Sequence, residues 1–170
     1  MKTILVAVDL SSATVRVCSV AADLARSMGA RLVIFHAVAP LPTLLYGIDP
    51  FTQTELVSYG RSARKAAAHK MAALEHWFKK RCPNTKMALH EGSPPENVLR
   101  AANKVHADYI VLGSHGHGAM HDLLVGSTAH VVLKKSTCPV VLVPITNETG
   151  KKGRKKVARG FASWPPWMLD

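Results

Sequence analysis

The chain has 170 residues, of which 48% are apolar and 19% charged, enough to build one domain around a conventional core without disulfide or metal staples. Its cysteines, Cys18, Cys82 and Cys138, include no CxxC pair, which argues against a zinc ribbon and for a reducing compartment; the N-terminal apolar run Ile4 to Val8 stops at Asp9, far short of the ~20 residues of a membrane span, so a soluble cytoplasmic protein is expected. The net charge is +11, but residues 151–170 hold six basic residues and one acid, leaving 16 basic and 10 acidic residues, or +6, for residues 1–150; a basic terminal run of this kind does not by itself make a nucleic-acid-binding protein.

Strand and helix patterns alternate along the chain. Lys2 to Asp9 reads as a strand buried on both faces. Ser11 and Ser12 offer N-caps to a helix that Gly29 can close. Arg31 to Val38 reads as a second buried strand. Residues 39–53, with Pro40, Pro42, Gly47 and Pro50, read as a long loop, and a long alanine- and lysine-rich helix spans roughly 54–81. Within that helix the stretch Ala66 to Trp77 has the spacing of a packed face. Thr85 to His90 is a weaker third strand. Ser93-Pro94-Pro95-Glu96 has the form of a capping box, with serine at the N-cap and proline at the first helical position, and opens a helix to about Val105. Asp108 to Gly113 is a fourth buried strand, Ser127 to Lys135 a helix, and Pro139 to Pro144 a fifth strand. This βαβαβαβαβ order predicts an α/β fold with a parallel, doubly wound, five-stranded sheet and right-handed crossovers. Ligands of such sheets bind beyond the carboxyl ends of the strands, which directs attention to Asp9, Ala37, Val38, Glu91, Gly92 and the residues from Gly113 onward.

The segment Gly113 to Thr128 reads GSHGHGAMHDLLVGST. Gly113 and Gly116 would let the chain turn sharply off the fourth strand and bring bare backbone near a ligand. Gly126 and Ser127 open the next helix, whose first N–H groups and positive dipole end favour an anion. These features describe a phosphate cradle, and equally a turning loop with an ordinary serine cap; the residues alone leave both open. No GxxxxGK[ST] follows a strand, and the turn after the first strand, DLSSAT, has no glycine. A P-loop and a dinucleotide fingerprint are therefore both excluded, and fast phosphoryl transfer lacks its usual parts.

Gly113-Ser114-His115-Gly116, nine further residues, then Gly126-Ser127 match G-x2-G-x9-G-[ST]. With the AVD-x-S opening, the His-Ala-Val end of the second strand, the EGSP turn and the final Cys-Pro-Val-Val-Leu-Val, this pattern resembles the ATP-binding subgroup of the universal stress protein family over residues 2–144. The resemblance implies an adenine nucleotide alpha hydrolase-like fold with strand order 3-2-1-4-5. It also implies ATP, ADP or AMP as ligand, with magnesium as a possible companion, and a homodimer paired through Val140–Val143. Carried over by position, Asp9 would meet ribose or the metal-bound phosphates with Val8 beside it. Ala37 would bond adenine through its backbone, and Leu112 would flank the base. Gly113, Gly116, Gly126, Ser127 and Thr128 would surround ribose and phosphates, with Ser114 and His115 nearby. Many members have arginine or lysine after GSHG where this chain has His117, which bears on the charge balance around the phosphates.

His117 and His121 have the i, i+4 spacing of a zinc pair on a helix, but no cysteine lies at ligand spacing and Asp122 is the only acid close by, so no metal site is expected there. His36 reads as a hydrogen-bonded core histidine, and Asp9 as either a cap acid or a ligand. Cys18 and Cys138 read as small core hydrophobes. The domain is expected to end at 145, leaving 146–170 as a basic, disordered tail. Three function classes follow. The first is an ATP-binding stress or regulatory protein that acts by binding and switching, with no catalytic residue assigned. The second is a slow ATPase or related nucleotide-processing enzyme, and the third a protein that contacts nucleic acid weakly through its tail.

Overall fold

Alternating side chains of the central strand enter two separate cores: Ile4 and Val6 face one, Leu5 the other, and all three are inaccessible to solvent. That pattern requires helices on both faces of a sheet. The computed structural model describes residues 1–39, 49–80, 82–114 and 125–145. Along them run β1 (Thr3–Ala7), α1 (Thr14–Met28), β2 (Arg31–Val38), α2 (Pro50–Lys79), β3 (Thr85–Glu91), α3 (Pro94–Lys104), β4 (Tyr109–Gly113), α4 (Ser127–Lys135) and β5 (Val140–Val143). The sheet has the order β3-β2-β1-β4-β5 with every neighbouring pair parallel, as expected. Val15, Cys18 and Ala22 of α1 and Met71, Leu74 and Phe78 of α2 pack on one face. Val98 and Ala101 of α3 and Ala129 and Val132 of α4 pack on the other. The strand order reverses between β1 and β4, so their carboxyl ends diverge at a switch point where a crevice opens.

Several local expectations need correction. The helix α1 starts at Thr14, with Ala13 at the N-cap and no side-chain cap; Ser11 instead closes a turn, its hydroxyl accepting from the Ala13 N–H at 3.2 Å. Gly29 does end α1, in the left-handed conformation at φ 58°. The helix α2 starts at Pro50, several residues earlier than the sequence pattern suggests. Asp49 caps it, accepting from the Phe51 and Thr52 N–H groups at 3.0 Å each, and a proline at the first helical position fits because that N–H has no intrahelical partner. From Phe51 to Ala66 no described side chain is buried, whereas Ala67, Met71, Leu74 and Trp77 are, the packed face expected within 66–77.

No capping box forms at α3. Ser93 is the N-cap residue but makes no side-chain cap bond. The buried Asn97 braces the turn instead, donating from Nδ2 to the Glu91 carbonyl at 3.0 Å. Gly92, at φ +125°, sits where a Cβ would come within 2.7 Å of that Nδ2, so both the backbone angle and the side-chain contact call for glycine. Cys18 is fully buried in the core, Cys82 is buried, and Cys138 is half-buried against the second core. Among the described residues, no helix is long and apolar enough to cross a membrane. The loop segment 40–48 and the expected tail 146–170 lie outside the described residues.

Candidate functional site

Beyond β1 the chain extends its ladder by one bond, from the Val8 N–H to the Phe35 carbonyl at 2.9 Å. The Val8 carbonyl is then taken by a side chain, the His36 imidazole, with Nδ1 at 2.7 Å. A carbonyl can only accept, so Nδ1 carries the proton and the neutral ring leaves Nε2 as its acceptor. Burial pushes the His36 imidazole below its ordinary range, aided by the Lys70 charge and opposed by the Val8 bond and the Asp9 carboxylate. The ring is therefore neutral at pH 7. His36 is the hydrogen-bonded histidine expected, tied to the first strand.

Asp9 stands exposed at this exit. Its Oδ1 accepts from the Ser11 N–H at 3.0 Å and from the Ser11 hydroxyl at 2.6 Å, which fixes the carboxylate without enclosing it. Leu10, next in the chain, adopts φ 59°, a left-handed conformation that costs a residue with a Cβ about 1–2 kcal/mol. Its side chain is buried in the first core, which holds the backbone in that state. Strain of this kind concentrates at functional turns.

The exit of β4 is built mainly from backbone. Gly113 is still paired, opposite Val143, and is not among the residues of positive φ. It is thus the last rung of the strand and not, as expected, the residue that turns. Ser114 joins three elements: its N–H donates to the Val143 carbonyl at 2.8 Å, its carbonyl accepts from the Gly126 N–H at 2.7 Å, and its hydroxyl accepts from the Ile145 N–H at 3.0 Å. The Gly126 bond brings the two ends of the glycine loop together and sets the start of α4 against the end of β4. Gly126 is the N-cap residue of α4, extended at φ −67° and ψ 158°, with no side-chain cap; Ser127 is therefore the first helical residue and not the cap. Ser127 and Thr128 occupy the first turn, where helix geometry leaves N–H groups without intrahelical partners.

The fold thus brings Val8, Asp9, Ala37, Gly113, Ser114, Gly126, Ser127 and Thr128 to one end of the sheet. Leu112 belongs to the second core, with 4% of its surface exposed, so its side chain is a floor beneath that end. His115, Gly116, His117 and His121 lie outside the described residues. Among the described residues, no group of three His, Cys, Asp or Glu side chains could hold a metal ion. The imidazole bond to Val8 and the three-way brace by Ser114 escape sequence reasoning; their only signals are a histidine near a strand end and a serine inside a glycine motif. A cleft lined by Gln53, Thr54, Val57, Ser58 and Arg61 is drawn from α2 alone among the described residues, and it lacks the convergence of several elements seen at the strand ends.

A parallel sheet wound on both faces, with a crevice framed by two strand exits, defines a doubly wound α/β protein of the kind that holds ligands at its switch point. This chain belongs to the universal stress protein family, whose model matches residues 1–144. A universal stress protein of Thermus aquaticus, from the 3′ region of the QAH/OAS sulfhydrylase, is 37% identical over 142 residues, covering 84% of this chain and 98% of its own. The solved structure of universal stress protein UspA from Lactobacillus plantarum superposes with a TM-score of 0.74 at 25% identity, covering 84% of this chain and 97% of that one. A universal stress protein in complex with cAMP shares the fold at a TM-score of 0.55 and 21% identity, covering 85% of this chain and 98% of that one.

Proposed function

We propose that this chain binds an adenine nucleotide, ATP with ADP or AMP as alternatives, at the carboxyl ends of β1, β2 and β4. It acts in the cytoplasm as a stress-response or regulatory switch, by binding and not by rapid turnover. The observation that carries this reading is the 2.7 Å bond from the Gly126 N–H to the Ser114 carbonyl. It sets the first turn of α4 beside the glycine-ended β4, so that helix N–H groups can meet phosphate oxygens. In support, a family relative of the same fold is known in complex with cAMP, a ligand with the same base.

In this reading the Ala37 backbone bonds the base, and Asp9, with Val8 beside it, meets the ribose or the metal-bound phosphates. Gly113, Gly116, Gly126, Ser127 and Thr128 surround ribose and phosphates, with Ser114 and His115 close by and Leu112 as floor. The residues fit such a ligand. A carboxylate fixed by Ser11 stands at one exit, and a strand ending in glycine meets a helix start at the other. Asp9 is the one carboxylate this reading places at the site, so a magnesium ion would take most of its ligands from phosphate oxygens and water, the usual habit of that ion.

Denaturing the purified protein and identifying what is released by chromatography and mass spectrometry tests the reading. An adenine nucleotide is expected at close to stoichiometric amount, or, from an empty preparation, calorimetric binding of ATP, ADP or AMP. A folded protein that releases no nucleotide and gives no heat with any of the three would overturn it.

We further propose a homodimer through β5. That strand lies at the sheet edge with Val140, Val141 and Leu142 only half-buried, and an apolar open edge of this kind favours association unless covered. Val141→Lys should convert the dimer to monomers in sedimentation. A wild type that is monomeric at micromolar concentration rules the dimer out. We place the domain boundary at 145, which the family match ending at residue 144 supports. Deleting 146–170 should leave folding and nucleotide affinity intact while removing weak, salt-sensitive contacts with nucleic acid.

A further inference from the structure

In a regular parallel ladder each residue facing its neighbour donates to one residue there and accepts from the residue two further on. The Val8 N–H donates to the Phe35 carbonyl, so the regular donor to the Val8 carbonyl is the Ala37 N–H. That place is held by the His36 Nδ1 at 2.7 Å. Peptide groups alternate in direction along a strand. The Val38 carbonyl, which accepts from the Gly92 N–H at 2.9 Å, points to the β3 side, so Ala37 points to the β1 side. There β1 has ended, its paired register with β2 stopping at Ala7 and Phe35. Among the described residues the Ala37 N–H has no strand partner on that side.

We propose that His36 is a positioning residue for the nucleotide site. Its imidazole takes the Val8 carbonyl out of the ladder and so keeps the Ala37 N–H open to donate a hydrogen bond to a ligand's base. This rests on the reading of the strand ends as an adenine-nucleotide site. One ring does two things. It satisfies a carbonyl that would otherwise close the β1–β2 gap, and it fixes the peptide leading to Asp9. Burial keeps the ring neutral, and the bond to the Val8 carbonyl places its one proton on Nδ1. The role requires a donor at the δ position and nothing more from the ring, which separates it from packing. Asparagine places its amide nitrogen at the same distance along the side chain, glutamine places it one atom further out, and leucine fills space without a donor.

The test compares wild type with His36→Asn, His36→Gln and His36→Leu in two measurements, adenosine and AMP affinity by calorimetry and the exchange rate of the Ala37 amide in the ligand-free protein. In wild type and His36→Asn the Ala37 amide should exchange fast, and the two affinities should agree within about threefold. In His36→Leu the Val8 carbonyl should turn to the Ala37 N–H, slowing its exchange. Adenosine and AMP affinity should then fall together by about tenfold, the scale of one lost hydrogen bond at a desolvated site. His36→Gln should resemble His36→Leu. Equal losses for the two ligands place the effect at the nucleoside and not at the phosphate, and the slowed Ala37 exchange places it at the base-facing N–H. An Ala37 amide already protected in the ligand-free wild type overturns the proposal, even if the variants fail to fold. So does a folded His36→Leu protein with wild-type affinity. A wild type that binds neither ligand but shows the predicted exchange pattern would instead sink the nucleotide reading and leave the ladder displacement standing.

Discussion

The two strand exits that frame the crevice are built by different means. At the end of β1 the chain has no glycine, and side chains hold the path: Ser11 on the Asp9 carboxylate, His36 on the Val8 carbonyl, and the buried Leu10 in a left-handed conformation. At the end of β4 the backbone does most of this, through the Ser114 bonds to Val143 and Gly126 and a glycine as the last strand residue. A side-chain-held exit offers polar groups that can be removed one at a time. A backbone-held exit offers space and N–H groups, and is sensitive to added bulk. Substitutions at the two exits should therefore fail in different ways, by graded loss at the first and by steric exclusion at the second.

The largest effect is expected from Gly113→Val. The position is an ordinary strand rung, where valine is well tolerated by the backbone, so the protein should fold. The new side chain would stand where the strand meets the ligand, and calorimetry should detect no ATP binding. Unchanged affinity in a folded variant would show that the β4 exit does not touch the nucleotide. Asp9→Ala comes next, with a roughly tenfold weaker affinity, since it removes hydrogen bonds to a charged group without filling the crevice. Affinity equal to wild type would reduce Asp9 to a turn residue. Loss as complete as that of Gly113→Val would erase the distinction between the exits.

Much of this could be read from residue patterns, and the misses share a cause. Apolar runs located β1, β2 and β4, because the inner strands of a parallel sheet are buried on both faces and leave little alternation to misread, whereas the edge strand β3, half-buried along most of its length, gave a weaker signal. Element starts were harder. Pro50 reads as a loop residue in the sequence because Asp49-Pro50 can be a turn as easily as a cap and first helical residue, and only the Asp49 bonds to Phe51 and Thr52 decide between them. Ser93 had the capping-box pattern, yet Asn97, a residue in the body of the helix, braces that turn. At the site, composition pointed to Gly113, Gly126 and Ser127, which advertise themselves by type. Ser114 and His36 do not, because their roles depend on partners at Ile145 and Val8, which are distant in the chain and are brought near by the sheet.

Ser114→Ala probes the brace between the exits. It removes the bond to the Ile145 N–H and should lower stability by about 1 kcal/mol, a fall in Tm of roughly 2–4 °C for a chain of this size. The bonds from its own N–H and carbonyl are retained, so nucleotide affinity should change by less than about threefold. A large loss of affinity with unchanged Tm would assign the hydroxyl to the ligand and not to the brace.

The smallest effect concerns protons at the side-chain-held exit. The folded state depresses the His36 pKa below its ordinary 6.5, chiefly by burial. As pH falls through 6.5 the unfolded chain takes up a proton at this residue before the folded protein does. The unfolded state then binds more protons, and stability must decline with falling pH. The decline ends once pH is below the folded value, where both states are protonated. His36→Asn keeps a donor for Val8 but does not titrate. Urea unfolding of the two proteins between pH 7.5 and 5 cancels the contributions of the remaining histidines. Wild type should lose stability relative to His36→Asn across this interval, with the gap constant above pH 7.5. Parallel profiles would mean that the ring titrates alike in both states, and that the β1 exit is more open to water than its hydrogen bonds indicate. A steeper loss accompanied by loss of nucleotide affinity would link the protonation of one exit to the ligand held between both.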